Sequence, residues 1–150
     1  MCEFIFKFRD LKLDNILIDE DNTIKIIDFG FSILSKKDMK LKMFCGTPSY
    51  MSPEIINKKE YYGGPSDMWS LGVILYAMLC GSFPFKSKII SLEAKIMTLG
   101  SLNRELYRRI SRGIFSIPET VSKYGRNLIL SLLNTDPGKR STAEQVCPLN

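Results

Sequence analysis

The sequence predicts a mainly α-helical fold with one small β-hairpin, and three observations predict it. Two β-branched runs, Ile16-Leu17-Ile18 and Thr23 to Ile27, flank the polar turn Asp19-Glu20-Asp21-Asn22. After the break Gly63-Gly64-Pro65, a stretch running to Cys80 is apolar nearly all round, so it reads as a helix at the centre of the fold. Further on, Leu128, Ile129, Leu132 and Leu133 form one apolar stripe, and Ser141-Thr142-Ala143-Glu144 reads as a capping box.

In chain order, Asn15 to Gly30 make the hairpin. Phe31 to Pro53 carry serines, lysines and prolines without sustained periodicity, and a long irregular segment in a compact domain is usually a functional one. Ser66 or Asp67 would cap the central helix, Gly81 would end it, and Pro84 would prevent a quick restart. Ser87 to Leu102 reads as a partly helical insert, Glu105 to Arg112 as a short basic amphipathic helix, and Ser122 to Asn134 as another helix. The capping box opens a last helix that Cys147-Pro148 breaks early.

Composition narrows the chemistry. The 150 residues are one domain's worth of chain, with 45% hydrophobic and 25% charged residues. The net charge of +5, from 21 basic against 16 acidic residues, is not gathered into a stripe, so no nucleic-acid partner is expected. There is no histidine, which excludes His-based triads and leaves acid–base work to carboxylates, lysines or tyrosines. The four cysteines show no CxxC spacing and read as free thiols of a reducing compartment. No apolar run is long enough to span a bilayer, and the N-terminus lacks signal-peptide features; the expected address is the cytoplasm or nucleus, with no membrane partner.

The decisive stretch is Arg9-Asp10-Leu11-Lys12-Leu13-Asp14-Asn15, followed after the hairpin by Asp28-Phe29-Gly30. It sets three oxygen-bearing side chains at the ends of short strands, a donor set suited to magnesium and phosphate. The pattern resembles the protein-kinase signature R-D-x-x-x-x-N followed by D-F-G. Three further stretches extend the resemblance: Gly46-Thr47-Pro48 through Ser52-Pro53-Glu54, Asp67-Met68-Trp69-Ser70-Leu71-Gly72, and Arg140.

The resemblance implies a protein-kinase-like C-terminal lobe without the N-terminal β-lobe. Residues 1–150 would be a partial kinase domain, from the catalytic loop to the start of the last helix. It implies ATP and Mg2+ as cofactors and a protein as substrate. Asp10 and Lys12 would be catalytic, Asn15 and Asp28 would hold the metal, and Gly30 would belong to the same cofactor site. Asp14, Thr47 and Met51 would face the substrate, while Arg9, Glu54, Asp67 and Arg140 would be structural. Lys12 and Thr47 argue for serine/threonine specificity. The runs Asp28 to Ser32, Phe44 to Pro48 and Leu106 to Pro118 are most similar to the calmodulin-dependent and AMP-activated kinase group.

Departures from the pattern shape the functional expectation. Phe8 stands where the motif has histidine, and Met43 where many relatives carry an activating threonine. Only nine residues precede Asp10, and both ends look cut. Holding reactants in line is worth roughly 7–11 kcal/mol of barrier, most of it from the absent ATP-gripping half. The chain alone is therefore expected to be inactive. A non-catalytic, pseudokinase-like interaction module is the alternative, and in either case a partner is expected to cover apolar surface left bare on the lobe.

Overall fold

The computed structural model describes residues 4–86 and 99–147. The expected hairpin forms from β2 (Ile16–Ile18) and β3 (Ile24–Ile26), antiparallel, with Ile16 opposite Ile26. Asp19 closes the turn, its carboxylate accepting from the Asp21 and Thr23 N–H groups.

A second two-stranded sheet was not expected from the sequence. β1 (Phe4–Lys7) pairs antiparallel with β4 (Ile33–Lys36), Phe4 opposite Lys36 and Lys7 opposite Ile33. The segment after the hairpin is thus not irregular throughout. Its strand has no alternating pattern of its own and is fixed by a partner distant in sequence.

Five helices follow among the described residues: α1 (Pro53–Ile56), α2 (Gly63–Cys80), α3 (Leu99–Arg112), α4 (Lys123–Leu132) and α5 (Ala143–Val146). α2 begins earlier than expected, capped at Tyr62, with Gly63-Gly64-Pro65 as its first turn and not a break. Proline is tolerated there because first-turn N–H groups lack helical partners anyway. Ser66 and Asp67, read as caps, are engaged elsewhere: Ser66 with Ser52, Asp67 with the loop before Asp10. Gly81 ends α2 in the left-handed conformation, as expected. α3 is longer than the Glu105–Arg112 helix expected. Most of the Ser87–Leu102 insert lies outside the described residues. α4 carries the Ser122 cap, accepting from Gly125 N. The last capping box is shifted by one residue: Thr142 and Gln145 exchange bonds of 3.3 and 3.0 Å.

The core forms around α2. Trp69, Val73, Ile74 and Tyr76 pack with Phe85, Ile110, Val121, Ile129 and Leu133. Trp69 stacks on Phe85 at 5.5 Å between centroids. A smaller cluster of Leu41, Ile55 and Tyr61 lies under the segment after β4. α2 is not covered all round, however: Met78 is 62% and Leu79 48% exposed. Phe4, Phe6 and Phe29 are exposed too.

α2 and α4 approach closely at Gly72, where a Cβ would come within 2.8 Å of Leu132 Cβ and 2.9 Å of Leu133 Cδ2. Alanine favours a helix by about 1 kcal/mol over glycine, but overpacking a core costs about 1–3 kcal/mol. Gly72→Ala is therefore expected to lower the urea midpoint. A raised midpoint would show that the helices part without cost.

Candidate functional site

The loop before Asp10 is hung from α2. The half-buried Asp67 carboxylate accepts from Phe8 N at 2.9 Å and from Arg9 N at 2.8 Å. Arg9 takes a positive φ of 66°, uncommon for a non-glycine residue, and its side chain donates to Phe31 O. These contacts turn the chain so that Asp10 points back into the fold.

Asp10 is 9% exposed and both its oxygens are engaged. Thr47 donates to Oδ1 twice, from N at 2.8 Å and from Oγ1 at 2.9 Å. Lys12 Nζ lies 3.1 Å from Oδ2. That hydrogen bond holds the Lys12 ammonium above the usual lysine value, and the charges of Asp10, Asp14 and Asp28 add to the effect. Four predicted side chains therefore share one electrostatic neighbourhood. Asp14 sits in the short 3-10 turn Leu13–Asn15, and Asn15 Nδ2 donates to Asp10 O at 3.2 Å.

The hairpin brings the second motif back to the first. Ile27 N donates to Asn15 O at 2.9 Å, which sets Asp28 at the strand end beside the 3-10 turn. Asp28 has a φ of 62°, and its Oδ1 accepts from Gly30 N at 3.1 Å. A Cβ on Gly30 would crowd that same oxygen. Phe29 packs against Phe8 and Phe6, centroids 6.0 and 5.8 Å apart. Phe8 thus makes ring contacts where the motif's histidine would stand.

The donor set fits a hard divalent cation. Asn15 spends its amide nitrogen on Asp10 O, and among the described residues nothing donates to its amide oxygen or to the second carboxylate oxygen of the exposed Asp28. Among the described residues no three Cys, Asp or Glu side chains converge on a common point. Two protein ligands completed by phosphate oxygens and water are what magnesium commonly takes.

Gly46 closes the site from above. Its φ is 122°, and a Cβ there would lie 3.0 Å from Arg9 O and 3.7 Å from Asp10 Oδ1. Tyr50 follows in a short 3-10 turn; its hydroxyl accepts from Leu13 N at 3.4 Å, and Ser70 on α2 donates to its carbonyl at 3.0 Å. Met51 is half-buried against Leu41, Ile55 and Tyr61. Glu54 and Arg140 form a buried two-pronged pair of 2.7 and 3.0 Å. Arg140 also donates to Pro65 O and Asn134 O and lies over the Trp69 ring. Four of the five N–H donors of that guanidinium group meet acceptors, and its Cζ lies over the Trp69 ring.

A model of the protein kinase domain matches residues 3–149. The chain belongs to that family. It is 41% identical over 139 residues to a serine/threonine-protein kinase SIK3 homolog of Danio rerio, covering 93% of this chain and 11% of that protein. It is 39% identical to HSL1 of Saccharomyces cerevisiae, named a probable serine/threonine-protein kinase, covering 92% of this chain and 8% of that one. A protein of Dictyostelium discoideum with the same description shares 38% identity, covering 92% of this chain and 15% of its own length. The chain thus spans less than a sixth of each relative. With them it falls in the AMP-activated-related group of serine/threonine kinases.

Sequence reasoning missed three contributors: the strained Arg9 and Asp28 backbones, Tyr50 as a link between loop and helix, and the buried Lys7. Only Tyr50 left a signal, as an aromatic beside the Thr47-Pro48 turn.

Two expectations follow. Glu54→Gln or Arg140→Met leaves one buried partner unmatched and should cost about 3–5 kcal/mol in urea unfolding, whereas Glu54→Leu with Arg140→Met should restore much of the loss. Near-additive losses would deny the coupling. Separately, burial pushes the Asp67 carboxyl up to about 6, opposed by the Arg9 and Phe8 N–H groups and by the charges of Arg9 and Lys7. Between pH 4 and 6 the folded chain then keeps a proton that the unfolded chain has released. The Asp67 contribution to stability is therefore fullest below about pH 4 and falls by about 3 kcal/mol as pH rises through 6. The stability difference between wild type and Asp67→Asn, measured from pH 4 to 7, should fall in that window; a rising difference would contradict the assignment.

Proposed function

We propose that this chain is the catalytic-loop-bearing C-terminal lobe of a serine/threonine protein kinase. The family reaction transfers the γ-phosphoryl group of ATP to a protein hydroxyl, with magnesium neutralising phosphate charge. The observation that carries the reading is Asp10, buried and fixed by Thr47 on one oxygen and by Lys12 on the other. A carboxylate so oriented can accept the proton of a serine or threonine hydroxyl. Lys12 beside it offsets negative charge at the transfer site. Asn15 and Asp28 would hold the metal ion, with Gly30 shaping the Asp28 turn. Asp14 and Met51 face the bound peptide, and Thr47 positions Asp10.

The described residues offer Asp28, Asn15 and Lys12 to a nucleotide's phosphates but no cleft for its base. Transfer is therefore a property of a complete kinase domain containing this lobe. A second reading, a non-catalytic interaction module, draws on Phe8 and on the exposed Phe4, Phe6 and Phe29, with Met78 exposed separately near the far end of α2, apolar positions suited to cover by a further domain or partner. The basic helix α3 lends no weight to nucleic-acid binding, because Arg108 and Arg109 are both engaged by Glu105.

In a complete domain containing these residues, Asp10→Asn should lower kcat on a Ser/Thr peptide by about 10²–10⁴-fold with KM little changed. The 150-residue chain alone should show no turnover with magnesium and ATP. A complete domain equally inactive with and without Asp10 would favour the interaction module.

A further inference from the structure

Strand β1 inverts the usual partition of side chains. Phe4, Ile5 and Phe6 are exposed, while Lys7, the charged residue among the four, is 2% exposed. Burying an ammonium group is costly unless it is hydrogen-bonded, so its position calls for a compensating role. The Lys7 stem lies across Gly63, the first residue of α2, where a Cβ would overlap Lys7 Cδ and Cβ. Its Nζ donates to Lys36 O at 3.1 Å and to Met39 O at 3.5 Å, both just beyond or at the end of β4. Asp67 and Asp38 add favourable charge, while burial pulls the Lys7 pKa down.

From Met39 the chain runs directly to a second tie. Leu41 and Tyr61 exchange N–H···O bonds of 2.7 and 3.2 Å, and the Tyr61 hydroxyl donates to Met43 O at 2.9 Å. Gly46 and Thr47, which close over Asp10, follow within a few residues.

We infer that Lys7 is a buried cationic clasp that fixes the Lys36–Met43 segment against the start of α2 and so sets the approach of Gly46 and Thr47 to Asp10. A resident charge, reaching two carbonyls across three segments of chain, holds the segment in place. The clasp orders the segment whether or not the chain takes part in phosphoryl transfer, so it stands apart from the functional reading above.

The test is hydrogen exchange on the full 150-residue chain, comparing wild type with Lys7→Met and with Gly63→Ala. Lys7→Met keeps the stem and removes the donors; Gly63→Ala keeps the charge and displaces the stem. Both should speed exchange at the Leu41 and Tyr61 amides by about tenfold or more while leaving the Leu133 amide in the α4 core unchanged, the pattern of a local opening. Equal acceleration at all three amides would reduce Lys7 to general stability and overturn the clasp. Unchanged Leu41 and Tyr61 amides in either variant would overturn it as well. Should Lys7→Met fail to fold, Gly63→Ala carries the same comparison.

Discussion

The site depends on one half-buried carboxylate. Asp67 reaches from the central helix to two consecutive N–H groups, those of Phe8 and Arg9, and so fixes where the chain enters the Asp10 loop. The helix that carries Asp67 is also the core's axis, with Trp69, Val73 and Ile74 buried on it. Loop geometry is therefore referred to the helix at the centre of the core, not to neighbouring loops. The Arg9 backbone, held at a positive φ, costs energy that this tether and the contact with Phe31 O offset.

A second constraint acts at the other end of the same segment. Glu54, just after the turn that presents Thr47, is held by Arg140, which also binds the first turn of α2 through Pro65 O. The 9–54 segment is thus fastened at both ends to one helix, and Leu41 within it packs with Ile55 and Tyr61. What lies between the fastenings is Asp10, approached by Thr47 from one side and Lys12 from the other.

Local chemistry made part of this legible in the sequence. The β2–β3 hairpin announced itself through β-branched runs around an acidic turn, and Gly81 and Ser122 marked helix ends through well-defined capping geometry. The site residues were legible as a motif, since their spacing is set by one hairpin. What escaped was whatever depends on a distant partner. β1 and β4 specify each other and neither reads as a strand alone. Gly63-Gly64-Pro65 has the composition of a breaker, yet it is helical because Lys7 packs on Gly63 and Arg140 binds Pro65 O. A lysine in a strand reads as solvated, and nothing local reveals that Lys7 is not.

Gly46 gives this arrangement an unexpected mutational profile. It has no functional group, yet a single added carbon would press on Arg9 O within 3.0 Å and take on an unfavourable φ at the same time. Exposed positions a few residues away, such as Lys40 over the Tyr62 ring and Lys42 beside Glu60, should tolerate substitution far better. Tolerance to substitution along this segment should consequently follow empty space more closely than chemical identity. The most restricted position in it would be the one that contributes no side-chain atom.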